Sequence, residues 1–103
     1  MQEAILHKLN ELVRPDEISQ RFPDIPHPKR ITILETVDHT AEEAYDVVVV
    51  YPDSTPDVPL NKLAPMVDWI REEILKRREG NRWPYFWFRH ESDARPSTRR
   101  LRG

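Results

Sequence analysis

The sequence has no cysteine and only two glycines, Gly80 and Gly103. Without cysteine there is no disulfide framework, no thiol nucleophile and no cysteine-ligated zinc. With so little glycine there is no phosphate-cradling loop, so no nucleotide cofactor is expected. The same shortage removes the GXXG loop with which KH domains clamp an RNA backbone and the glycine-bearing RNP pattern of an RRM. No run of about 18 apolar residues occurs, and no membrane-spanning helix is expected. The stretch MQEAILHKLNELVRP carries acids and helical periodicity where a signal peptide needs a basic start and an unbroken apolar segment. A cytoplasmic protein is the resulting expectation. No two histidines stand at ligand spacing, which leaves no metal site to predict.

What remains is a charged, proline-rich chain. Its 103 residues suit one domain, and 38% hydrophobic residues suffice for a thin core. Ten prolines and a charged fraction of 33% imply solvated connectors or a tail. The net charge of −2 conceals a division. Residues 1–60 hold 12 acidic and 5 basic side chains, whereas residues 61–103 hold 6 acidic and 11 basic. Such polarity bears on partners rather than on fold.

Apolar periodicity locates the elements. Ile5, Leu9 and Leu12, with Leu6 and Val13 beside them, predict an amphipathic helix over 2–13. Pro15, Asp16 and Glu17 predict the start of a short second helix that stops by Phe22–Pro23. ITILETV (31–37) and YDVVVVY (45–51) are rich in β-branched residues and read as strands. Between them, Thr40 with Glu43 three residues on has the form of a capping box, which predicts one helical turn. Leu63, Met66, Val67, Ile70 and Ile74 share one face of a long helix capped by Asn61, with Pro65 in its first turn. That helix is expected to run to Glu79 and to close at Gly80. WPYFWFRH then supplies a third strand. The expected fold is α+β in the order α-α-β-β-α-β: two N-terminal helices, a β-hairpin, a long amphipathic helix and a third strand completing a small sheet. Residues 1–92 form the domain and 93–103 a disordered basic tail.

The segment RWPYFWFRHE, residues 82–91, concentrates the chemistry. Strand alternation sets Trp83, Tyr85 and Trp87 on one face and Phe86 and Phe88 on the other. With Phe86 and Phe88 as core under the long helix, the tryptophan face is expected to pack the N-terminal helix or to serve recognition. Exposed rings beside arginines are the ingredients of single-stranded nucleic-acid binding, and tryptophan, tyrosine and arginine are equally the usual anchors of protein interfaces. The candidate binding residues are therefore Arg77, Arg78, Arg82, Trp83, Tyr85, Trp87, Arg89, His90, Arg95, Arg99, Arg100 and Arg102. DHTAEE, residues 38–43, could bind metal or handle protons, but its acids and threonine read first as a helix cap. His90 with Glu91, Arg89 and Tyr85 is a weaker, nuclease-like grouping. The reading is a small non-catalytic binding or adaptor module without cofactor, recognising an acidic protein partner or itself through the aromatic sheet face. Binding of single-stranded RNA through the aromatic strand and the basic arm is the alternative.

Overall fold

A computed structural model describes residues 2–77, 82–92 and 100–102, with side chains over 5–77 and 82–92. Helices α1 (Gln2–Leu12) and α2 (Pro15–Arg21) precede strands β1 (Arg30–Val37) and β2 (Glu43–Tyr51). Helix α3 (Leu60–Lys76), strand β3 (Trp83–His90) and a short strand β4 (Arg100–Arg102) follow. The expected order α-α-β-β-α-β is observed. Strands β1 and β2 pair antiparallel, from Arg30 opposite Val50 to Val37 opposite Glu43. Strands β2 and β3 pair parallel, from Ala44 opposite Trp83 to Tyr51 opposite His90. A parallel pair needs a long crossover, and α3 supplies it. Among the described residues no helix is long and apolar enough to cross a membrane.

The sheet runs β1-β2-β3-β4. The fourth strand falls within the segment expected to lack structure. Arg100 stands opposite Trp87 and Arg102 opposite Tyr85 in antiparallel register. Without it the outer edge of β3 would present a row of unpaired backbone groups, and RLR pairs with that row. Residues 93–99 lie outside the described residues.

One hydrophobic cluster holds the domain together. It takes Ile31 and Ile33 from β1, Tyr45, Val47, Val49 and Tyr51 from β2, and Phe86 and Phe88 from β3. Each strand contributes alternate residues, so the cluster lies on one face of the sheet. Onto that face pack Leu9 and Val13 at the end of α1, Ile18 of α2 and all five expected residues of α3. Among the described residues all three helices thus cover the same face, and none covers the other. The expectation that the N-terminal helix covers the tryptophan face is corrected here. Helix α1 lies along β1 and α3 along β3. Two helices about 10 Å in diameter roughly span four strands spaced about 4.8 Å apart, so both fit side by side.

Three local expectations also change. The segment between β1 and β2 forms no helical turn. Asp38 Oδ1 accepts the backbone amides of Thr40 (2.9 Å) and Glu42 (3.1 Å) and the Thr40 hydroxyl (2.6 Å), and Ala41 takes a left-handed φ of 64°. Aspartate is well suited to holding backbone amides in a turn, so Asp38, not Thr40, organises a tight hairpin. Helix α3 begins at Leu60 after Pro59 without a side-chain cap, so Asn61 lies inside it. Pro65 then falls beyond the first turn, where it lacks the N–H that the Asn61 carbonyl would accept. The helix ends at Lys76 with Arg77 as its cap; the expected extension to Glu79 and Gly80 lies outside the described residues.

Candidate binding surface

The helix-free face of the sheet is built by the residues that alternate with the core. These are Thr32 and Leu34 on β1, Asp46 and Val48 on β2, and Trp83, Tyr85, Trp87 and Arg89 on β3. Trp83 is 40% exposed and Leu34 49% exposed, large values for apolar side chains in a sheet. Val37, at the hairpin end of β1, is exposed too, but it alternates onto the face that carries the core. Trp87 is half-buried and Tyr85 buried. Both rings are fixed by carboxylates. The Trp87 Nε1 donates to Asp46 Oδ1 at 2.9 Å, and the Tyr85 hydroxyl donates to Asp38 Oδ2 at 2.9 Å.

Asp38 therefore joins the hairpin turn to the aromatic face. The Thr40 hydroxyl is the main cause holding its carboxyl well below the usual carboxylate range, against a desolvation cost. The amides of Glu42 and Thr40 and the Tyr85 hydroxyl add to that effect. A carboxylate held ionised by several donors is a firm acceptor, which sets the orientation of Tyr85. Tyr51, on the core face, has its pKa pushed up to about 12 by burial, and its hydroxyl has no hydrogen-bond partner among the described residues.

The expected site residues divide into three groups. Trp83, Tyr85, Trp87 and Arg89 share the helix-free face, and the register sets Arg100 and Arg102 beside it on β4. The Arg89 Nε is buried there without a hydrogen-bond partner among the described residues. Arg77, Arg82 and His90 lie elsewhere. Arg77 donates to the Glu73 carbonyl (2.9 Å) and to Glu73 Oε1 (3.2 Å) at the end of α3. His90 donates from Nε2 to the Thr55 carbonyl at 2.7 Å and anchors the loop after β2. Arg78, Arg95 and Arg99 lie outside the described residues.

Arg82 is a structural clamp. Its Nη1 donates to the carbonyls of Thr36 on β1 and Ala44 on β2, both at 3.1 Å. Its Nη2 lies 3.4 Å from Glu43, its Nε lies 3.7 Å from Glu35, and the guanidinium sits 5.7 Å from the Tyr45 ring centroid. The 3.7 Å contact is an ion pair and not a hydrogen bond, since the same Nε has no hydrogen-bond partner among the described residues. Only 10% of the side chain is exposed. This cation is committed to the ends of two strands.

Two catalytic arrangements suggested by sequence do not assemble. On β3, His90 alternates with Arg89 and Tyr85 and so points to the other side of the sheet, and Glu91 pairs with Lys29 at 3.0 Å. No group of three or more histidine or acidic residues among the described residues is arranged to hold a metal ion. Sequence reasoning passed over Asp38 and Asp46 as partners of the aromatic rings. The available signal was Asp46 itself, a lone acid at the head of the apolar run VVVV. Compared with protein-family models, curated proteins and solved structures, the chain matches none.

Proposed function

We propose that this protein is a non-catalytic binding module that docks through the helix-free face of its sheet, with a second copy of itself as the first partner. The observation that carries the reading is the placement of all three helices on one face, which leaves Trp83 and Leu34 exposed on the other. Large apolar side chains grouped on one face mark interaction surfaces. The carboxylates of Asp46 and Asp38 satisfy the Trp87 and Tyr85 donors within the chain, so these rings need no polar partner from outside. Their fixed orientation also lowers the ordering cost of association.

Charge supports self-association. The β2 side of the face carries Asp46, while the β3–β4 side carries Arg89 and the Arg100 and Arg102 positions. Two copies stacked about a two-fold axis parallel to the strands would set one copy's basic side over the other's acidic side. An isologous contact of this kind is the commonest form of assembly. An NMR dilution series tests the reading. Resonances of Trp83, Leu34 and Trp87 should shift with concentration while those of α1 and α3 stay fixed. Shifts confined to the helices would refute it.

A second reading, single-stranded nucleic-acid binding, is favoured by Arg100 and Arg102 standing opposite Trp87 and Tyr85. It is weakened by the carboxyl groups of Asp46 and Asp38 hydrogen-bonded to two of the three rings, which offer a phosphate backbone further acceptors and no donor. Oligonucleotide anisotropy separates the two readings. Salt-sensitive binding that quenches tryptophan fluorescence would favour nucleic acid, and its absence would favour the protein interface.

A further inference from the structure

On the opposite side of the molecule, α1, α2 and α3 enclose an open groove of about 380 Å³. Four cationic side chains reach it: Lys8 from α1, Arg14 from the α1–α2 junction, Arg21 from the end of α2, and Arg77 from the end of α3. Its apolar lining is Leu12 and Trp69. The cations are not equally available. Arg77 is tied to Glu73, and Arg14 approaches Glu11 only at 3.9 Å. Among the described residues, Lys8 and Arg21 have no carboxylate within 4.0 Å.

Arg21 is nevertheless held in place. Its guanidinium lies 4.4 Å from the Trp69 ring centroid, and Phe22 meets the same ring edge-on at 6.2 Å and 65°. A guanidinium stacked on an indole keeps its N–H edge free for a planar oxyanion and loses little rotamer freedom on binding. We propose that this groove binds an acidic segment of a partner protein. A glutamate or aspartate carboxylate would pair with Arg21 and Lys8, and a neighbouring apolar side chain would lie against Leu12 and Trp69. One observation favours a carboxylate-bearing peptide over a phosphate group. The apolar floor offers a phosphate nothing, whereas a peptide with alternating acidic and apolar residues uses both parts. The groove and the aromatic sheet face lie on opposite sides of the sheet, and neither proposal depends on the other.

The test is an NMR titration of the ¹⁵N-labelled full chain with three probes: the peptide acetyl-EELEE-amide, its glutamine counterpart acetyl-QQLQQ-amide, and inorganic phosphate. The acidic peptide should shift the Trp69 indole and the amides around Arg21 saturably, with an affinity that falls as salt rises. Arg21→Gln and Lys8→Gln should each weaken it about tenfold, the size of one charge-assisted hydrogen bond. The glutamine peptide should leave these resonances unmoved. Absence of shifts at millimolar acidic peptide, equal shifts from the glutamine peptide, or phosphate saturating the same resonances with comparable affinity would each overturn the proposal. Should Arg21→Gln fail to fold, the exposed Lys8→Gln decides: unchanged affinity in that variant overturns it.

Discussion

At the scale of single residues, what a side chain does is decided by which groups surround it, and the arginines show this most plainly. Arg82 has the same sequence credentials as Arg89, since both bracket the aromatic strand. Yet Arg82 turns back to bind the Thr36 and Ala44 carbonyls, and Arg89 remains on the helix-free face. Arg82→Met should lower stability by about 2 kcal/mol or more, because it strands two carbonyls and two carboxylates that the guanidinium serves. A denaturant midpoint unchanged by this substitution would remove the clamp from the account. The aromatic residues separate in the same way. Phe86 is fully buried, so Phe86→Ala should cost about 3–5 kcal/mol, whereas Trp83→Ser at the exposed end should stay within about 0.5 kcal/mol. Equal losses for the two would mean that Trp83 belongs to the core.

Asp38 adds a pH signature. Its folded pKa lies below the ordinary 3.8, so the folded state favours the ionised carboxylate. The stability it contributes is complete at pH well above 3.8 and is lost as pH falls toward the lower folded value. The difference in melting temperature between the natural chain and Asp38→Asn should therefore be flat from about pH 6 to 8 and shrink below about pH 4. A gap as wide at about pH 3 as at about pH 7 would show that the carboxylate's charge is not what holds the turn.

At the scale of elements, periodicity was informative wherever an element buries a regular stripe. The five buried residues of α3, the leucine face of α1 and the alternation of β3 could all be read from spacing alone. Boundaries and turns were not legible in the same way. They rest on local detail: in the hairpin the Asp38 side chain chooses among several backbone groups, and α3 starts after Pro59 with no side-chain cap at all. The sidedness of the sheet was hidden for another reason. Both faces of β2 and β3 are apolar, so their pattern cannot say which face the N-terminal helix will take.

Long-range side-chain contacts leave still less trace. Asn10 receives the Ile33 amide at 2.9 Å and donates to the Ile33 carbonyl at 3.1 Å. These are the outward-facing groups of the edge strand β1, so the Asn10 amide imitates a neighbouring strand and plugs the edge. It also donates to the Leu6 carbonyl of its own helix at 2.9 Å. Nothing near Asn10 in sequence announces the role, because 23 residues separate it from Ile33. Asn10→Ala should cost about 1–2 kcal/mol and should expose the Ile33 amide to exchange. Hydrogen exchange at Ile33 provides the check, and protection unchanged from the natural chain would show that the plug is not needed.

At the scale of the whole molecule, the domain is a two-layer sandwich with three helices on one side and an aromatic, helix-free sheet on the other. The charge division along the chain maps onto this body unevenly. Of the late arginines, Arg82 is held inside the fold, and Arg77 joins Lys8, Arg14 and Arg21 from the acidic half in lining the groove between the helices.

Sedimentation velocity of the full chain across a hundredfold concentration range, beside Trp83→Ser and Leu34→Ser, tests the central claim most directly. The account predicts a weight-average mass that rises from monomer toward dimer in the natural chain and remains monomeric in both variants. A natural chain that is monomeric throughout, or variants that associate as it does, would contradict the assignment of the helix-free face as the self-association surface.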